Sequence, residues 1–308
     1  MKLSLFDLHA DTAWAMYETG QPLKKNSLAV SLTKAAHFSR YIQTMALWTS
    51  PKHDDEEGYH HLLKMVENLK SDPALQSSEA NMFATCPQKE DPIPSLILSV
   101  EDARILAGKL ERVDVLADLG VRSVIPMWCG ETCMGGSHDT EIGLTKFGKH
   151  ACRKMLERNI ILDISHASEQ TSNDIFELSA ACGKPVIASH SNAHAICPVS
   201  RNLRDWQIDA ILASGGIIGI NLYRAFLAKD ENATLDTILS HIEYFLSKGA
   251  EGAIALGCDM DGADLPDDIP DLSSLWRLAE HMKKKGYSQT LIDALFFENA
   301  YRFAENNF

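Results

Sequence analysis

Short runs rich in apolar and β-branched residues alternate along the chain with longer stretches whose apolar residues recur every three or four positions. The short runs predict strands at residues 3–9 (LSLFDLH), 42–48 (IQTMALW), 95–101 (SLILSVE), 121–128 (VRSVIPMW), 160–166 (IILDISH), 185–190 (PVIASH), 216–222 (GIIGINL) and 253–259 (AIALGCD). The longer stretches predict helices. Among them are LERVDVLADLG closing on Gly120, TKFGKHACRKMLERN, SEQTSNDIFELSAACG with Ser168 as N-cap, and TLDTILSHIEYFLSKG closing on Gly249. Eight strands alternating with helices form the pattern of an α/β fold, the (β/α)8 barrel of the TIM type. An open doubly wound sheet is the competitor, but no Gly-rich phosphate loop follows the first strand. The GGIIG at 215–219 reads as a helix-to-strand turn. Residues 49–94 are the least regular, with SPKHDDEEGYHH opening a helix and ATCPQKEDPIP forming a loop. No linker or internal repeat divides residues 1–308, so a single domain is expected, with LWRLAEHMKKKG and SQTLIDALFFENAYRFAEN as closing helices.

Composition narrows the partners. The 308 residues are 45% hydrophobic and 23% charged, as in a globular chain, and carry a formal net charge of -13, which argues against nucleic acid. No apolar run approaches bilayer length, and MKLSLFDLHAD enters a strand directly, so the expectation is a cytoplasmic protein with no membrane partner. Seven scattered cysteines, an odd number, suit reduced thiols. Cys129 and Cys133 have metal-like spacing but no second pair follows, so structural zinc is not expected there. The sequon Asn232-Ala233-Thr234 has no role without secretion.

In a barrel, catalytic groups gather at the carboxyl ends of the strands. His9 and Asp11 end the first predicted strand, Glu101 the third, His166 the fifth, His190 the sixth and Asp259 the eighth. Residues i and i+2 of a strand share a face, so His9 and Asp11 emerge together. Each alone is an ordinary loop residue; their recurrence at one rim points to a metal centre. Three histidines and two carboxylates suit two divalent ions, zinc in the first place, with manganese, cobalt or iron compatible with the same donors. Glu101 is the natural bridge, one oxygen to each ion. Two ions clamping a water and polarising a carbonyl make a hydrolase. The other histidines read as solvent-facing or packed, including His53, His60, His61, His138, His150, His241 and His281; His37 is undecided, and His194 is a candidate to support His190.

The same residues carry a family resemblance. DLHAD at 7–11, SVE at 99–101, GLTKFGK at 143–149, LDISHAS at 162–168, VIASHSNA at 186–193, SRNLRD at 200–205 and GCDMDG at 257–262 together resemble the renal (membrane) dipeptidase family of metallopeptidases in the amidohydrolase superfamily. The match runs in order over nearly the whole chain and is weakest at 49–94. The resemblance implies a (β/α)8 barrel with a binuclear zinc centre that hydrolyses dipeptides, often with a D-residue on the carboxyl side, and leaves a homodimer open. It implies His9, Asp11 and Glu101 on one metal and Glu101, His166 and His190 on the other. It also implies Asp259 as the proton-shuttling aspartate and Arg201 as the clamp on the substrate's free carboxylate. Asp261 has the same strand parity as Asp259; spacing does not choose between them, and the resemblance picks Asp259.

Two positions depart from the pattern. After the fourth strand, where relatives place a histidine against the scissile group, PMWCGE places Trp128. An indole donates one hydrogen bond and carries no positive charge. After the seventh, NLYRAF gives Tyr223 and then Phe226, where some relatives offer a different tyrosine. Trp128 and Tyr223 are therefore the substrate-facing candidates on those strand ends. Two alternatives to a dipeptidase stand beside it: an amidohydrolase-type enzyme acting on a lactone, cyclic amide or phosphoester, and a non-catalytic metal-binding barrel.

Overall fold

The strands alternate their apolar residues between two buried environments, and that parity builds a closed cylinder. The computed structural model describes residues 3–308. Its strands are β1 (Leu5–Ala10), β2 (Tyr41–Trp48), β3 (Asn81–Phe83), β4 (Ser95–Glu101), β5 (Val121–Ile125), β6 (Ile161–Asp163), β7 (Val186–Ile187), β8 (Ile218–Ile220) and β9 (Ile254–Leu256). Hydrogen bonding orders them β7-β6-β5-β4-β2-β1-β9-β8, every pair parallel, and a bridge between Ala188 and Ile218 joins the two ends of the path. This is the (β/α)8 barrel. The unanticipated strand is β3, which pairs with the first half of β4 while β5 pairs with the second half. It extends the column of β5 without adding to the ring.

Inside the ring, Phe6, Ile42, Ile97, Ile161, Ile187 and Ile217 form one buried cluster. Their neighbours along the same strands, such as Leu5, Leu98, Leu162 and Val186, pack outward against the helices. Phe297, Tyr301 and Phe303, from the π-helical turn Ala294–Glu298 and the helix Asn299–Asn307, join the inner cluster. The barrel is thus filled with hydrocarbon at one end, and the inward positions nearer the carboxyl ends of the strands are polar.

The later strands are shorter than their apolar runs: β6, β8 and β9 have three ladder residues each and β7 two. The remainder of each run leaves the ladder and becomes the loop that carries the polar groups. Helix ends follow the predicted signals. Ser168 Oγ accepts the Thr171 N–H at 2.9 Å to start Glu169–Cys182, and Gly120, at φ 94°, ends Glu111–Leu119. The irregular region opens with a reciprocal cap in which Asp54 and Glu57 satisfy each other's backbone N–H, starting the helix Asp55–Lys70.

Candidate metal centre

The ends of β1 and β9 are built together. Phe6 and Leu8 face the barrel interior, yet Ala10 packs on the outer side. A register shift between Asp7 and Ala10 accounts for this reversal, and it turns His9 and Asp11 inward. Asp7 Oδ1 accepts the Cys258 N–H at 2.8 Å, the Asp259 N–H reaches the His9 carbonyl at 3.1 Å, and the Asp11 N–H reaches the Met260 carbonyl at 2.9 Å. Asp259 and Asp261 both adopt positive φ, 60° and 67°, a strained conformation that aspartate tolerates better than most residues. The turn separates the two carboxylates that spacing left equivalent. Asp261 faces away, taking the Thr12 hydroxyl at 2.6 Å and the Ala29 N–H at 2.5 Å. Asp259 faces the barrel mouth, its Oδ2 accepting the Asn221 side-chain N–H at 2.9 Å.

Around that mouth the five expected donors converge. Glu101 Oε2 lies 3.3 Å from His9 Nε2, which is 3.6 Å from Asp11 Oδ2. Glu101 Oε1 lies 2.9 Å from His166 Nε2 and 3.6 Å from His190 Nε2. The two carboxylate oxygens of one residue thus face two separate groups of nitrogen and oxygen donors. Asp259 Oδ1 is 3.9 Å from His9 Nε2, adjoining the first group. His166 Nδ1 is held by the Trp128 carbonyl at 3.0 Å, and His190 Nδ1 by Ser189 Oγ at 2.9 Å. Asp163, which sequence reading passed over, anchors the second of these: its Oδ1 accepts from Ser165 Oγ at 2.7 Å and from the Ser189 N–H at 3.1 Å. The aspartate in LDISH was its only signal.

The electrostatics suit a bound cation. Burial raises Asp11 well above the usual carboxylate range, with Glu101 adding repulsion, and it raises Asp259 as well. Burial also opposes charge on Glu101, but His9, His166 and His190 outweigh it and hold that carboxyl well below its ordinary value. Burial takes His166 down to about 3 and His190 well below its ordinary value, leaving both as neutral donors. On His9, burial is overcome by Glu101 and Asp11, which hold the imidazole well above its ordinary value. Both ring nitrogens of His9 and Asp11 Oδ1 are buried with no hydrogen-bond partner among the described residues. Buried polar atoms of this kind cost free energy unless another group satisfies them. Gly262 keeps the space open: a Cβ there would stand 2.0 Å from Asp11 Oδ2 and 2.9 Å from Asp259 Oδ1.

Two cavities meet above the donors. The first, about 330 Å³, is walled by Trp14, Trp48, Trp128, Tyr223 and Phe226 with Glu101 and Asp259 at its base. Trp48 stands edge-on between Trp14 and Trp128, at 5.1 and 5.3 Å between ring centres. Arg201 does not line this cavity; it lines a second, of about 370 Å³, which shares His138 with the first. Its guanidinium is buried, with Nη1 on Ser191 Oγ at 2.9 Å and Nη2 on the His190 carbonyl at 3.2 Å, while Nε has no partner among the described residues. His194 turns to Arg204 and not to His190. Trp14, Trp48, Asn221 and His138 were not foreseen, because nothing local marks a residue that only tertiary folding brings to the mouth.

The family model of the membrane dipeptidases, peptidase family M19, matches residues 1–307. The chain belongs to that family. It is a metal-dependent dipeptidase, a hydrolase whose substrate is a peptide. Over 230 residues it is 34% identical to an uncharacterized protein encoded 5′ of pqqA in Klebsiella pneumoniae, covering 71% of this chain and 84% of that one. It is 29% identical over 215 residues to an uncharacterized dipeptidase of Schizosaccharomyces pombe, covering 68% of this chain and 52% of that one. A crystal structure of a metallo peptidase from Rhodobacter sphaeroides, liganded with a phosphinate mimic of L-Ala-D-Ala, superposes with a TM-score of 0.92 at 26% identity over 100% of both chains. As for the family's name, no helix among the described residues is long and apolar enough to cross a membrane.

Proposed function

We propose that this dipeptidase holds two divalent ions, zinc by preference, and hydrolyses dipeptides with a free carboxyl terminus, L,D-dipeptides included. The observation that carries the reading is Glu101, whose two oxygens lie against different imidazoles, 3.3 Å from His9 and 2.9 Å from His166. His9, Asp11 and Glu101 would hold one ion, and Glu101, His166 and His190 the other. Ions bound there supply a water of lowered pKa and a Lewis acid for the peptide carbonyl. Asp259, within the same cluster and raised above the usual carboxylate range by burial, is suited to take the proton of the attacking water and return it to the leaving amine. Asn221 holds its second oxygen and so sets the direction of the first. Arg201, whose Nε has no partner among the described residues, is suited to receive the substrate carboxylate. Trp128 and Tyr223 border the first cavity and would contact the amino-terminal residue of the substrate. The inclusion of L,D-dipeptides is supported by the ligand of the Rhodobacter sphaeroides relative, a phosphinate mimic of L-Ala-D-Ala. All seven cysteines are unpaired, which favours a reducing compartment such as the cytoplasm.

The test is a panel of L,L- and L,D-dipeptides, their carboxyl amides, and lactone and ester substrates, assayed on zinc-loaded protein with metal content measured alongside. Turnover of free dipeptides, about two ions per chain and a tenfold or greater loss on amidation support the reading. Turnover of lactones or esters in preference to every dipeptide would replace it with the amidohydrolase alternative.

A further inference from the structure

His138 lies in the long loop between β5 and the helix Lys146–Glu157, in sequence a bystander. The fold ties it to the metal centre from three sides. Its backbone N–H donates to the His166 carbonyl at 2.8 Å, and its neighbour Ser137 forms an antiparallel bridge with Ala167. Its ring Nδ1 is 2.9 Å from the hydroxyl of Ser200, the residue before Arg201. The imidazole lines both cavities. Its ring centre stands 6.1 Å from that of His166, the two rings inclined at 56°, a separation ordinary for neighbouring aromatic rings.

A dipeptide whose carbonyl sits at the donor cluster and whose carboxylate reaches Arg201 must span the boundary between the cavities. Consecutive residues are about 3.8 Å apart, so the intervening atoms pass within reach of His138. In the neutral tautomer whose Nδ1 accepts the Ser200 hydroxyl, the ring carries its proton on Nε2, which has no protein partner among the described residues. The other aromatic group at that end of β5, Trp128, is packed on Trp48 and has only its single indole N–H to offer. We propose that His138 is a catalytic residue of this dipeptidase, donating its Nε2–H to the carbonyl oxygen that gains negative charge as water adds to the peptide bond. The inference rests on the dipeptidase reading above.

The experiment compares the parent, His138→Ala and His138→Gln as full-length, zinc-loaded proteins. It measures kcat and KM on a dipeptide that the parent turns over, affinity for a phosphinate dipeptide mimic by calorimetry, and bound zinc by elemental analysis. Loss of a donor to a developing oxyanion lowers kcat by about 10²–10³-fold. The expectation for His138→Ala is that fall, with KM within about threefold, zinc content unchanged and phosphinate affinity falling in step with kcat/KM. His138→Gln, which keeps an N–H donor, should recover about tenfold of the lost kcat. A kcat within about threefold of the parent, a loss confined to KM, an unchanged phosphinate affinity, or a loss of zinc or of folding in both variants overturns the proposal. A parent that turns over no dipeptide overturns the dipeptidase reading itself, and is recognised before any variant is compared.

Discussion

Glu101 and Asp259 are buried carboxylates that both approach His9, yet their surroundings push them in opposite directions. Three imidazoles draw Glu101 toward its charged form; burial and the charge of Glu101 push Asp259 toward its neutral form. Such a divergence separates a group that stays charged from one poised to exchange a proton. Asp259→Asn removes the exchangeable proton and keeps an oxygen for Asn221 to donate to. Zinc content should be unchanged and kcat should fall by about 10²–10⁴-fold, measured by elemental analysis and steady-state kinetics; equal turnover would remove Asp259 from the chemistry. His241, away from the site, shows what a packed histidine does. Its Nδ1 accepts the Ala193 N–H at 3.1 Å and its Nε2 donates to the Leu227 carbonyl at 3.0 Å, so both nitrogens are used in the neutral form. Burial takes its pKa from 6.5 to about 4. The unfolded chain therefore binds this proton at a higher pH than the folded one, and stability is lost as pH falls from 6.5 toward 4. The full loss is roughly 3 kcal/mol. Denaturant unfolding across that window should show the decline, and His241→Gln should flatten it.

At the scale of elements, Gly219 in β8 and Gly257 just after β9 leave room for the Ser189 carbonyl, which follows β7 and precedes His190. A Cβ on Gly219 or on Gly257 would stand 1.8 Å from the Ser189 carbonyl oxygen, a backbone atom that cannot swing aside. Gly219→Ala should cost about 1–3 kcal/mol through overpacking and, by displacing Ser189, loosen the adjacent His190 and lower zinc occupancy. Gly252 is the control: a Cβ there meets only the end of the Arg302 side chain, at 3.4 Å, and Gly252→Ala should stay within about 0.5 kcal/mol. Chemical denaturation with metal analysis reads both effects, and indistinguishable variants would refute the packing argument. The alternation of apolar runs made the eight barrel strands legible, because a parallel strand buried on both faces reads as continuous hydrocarbon. It did not show the reversal at Leu8–His9, since a register shift depends on how the neighbouring strand pairs. Nor did it show β3, whose three residues Asn81–Phe83 are too few to display a period.

For the whole molecule, folding drives three carboxylates and three imidazoles into one mouth of a barrel otherwise filled with hydrocarbon. Without cations that arrangement is a liability, because Asp11, Glu101 and Asp259 crowd one another. Ions that bind only the folded state stabilise it by RT ln(1 + [L]/Kd), about 4 kcal/mol at a thousandfold excess over Kd. Thorough chelation should therefore lower the melting midpoint by roughly 5–10 °C, and zinc should restore it in a concentration-dependent way in scanning calorimetry. A midpoint indifferent to chelator and zinc would mean that the cluster holds no ion.

The sequence by itself determined the barrel, the rim to which the polar groups belong, and which candidate donors end its strands, because periodicity and strand-end position are local properties. Tertiary structure alone decided that Asp259 and not Asp261 faces inward, that Arg201 opens into a second cavity, and that Trp14, Trp48 and His138 join the site. Those outcomes depend on a backbone turn, on the register of neighbouring strands, and on contacts between residues remote in the chain, none of which leaves a periodic trace in the order of amino acids.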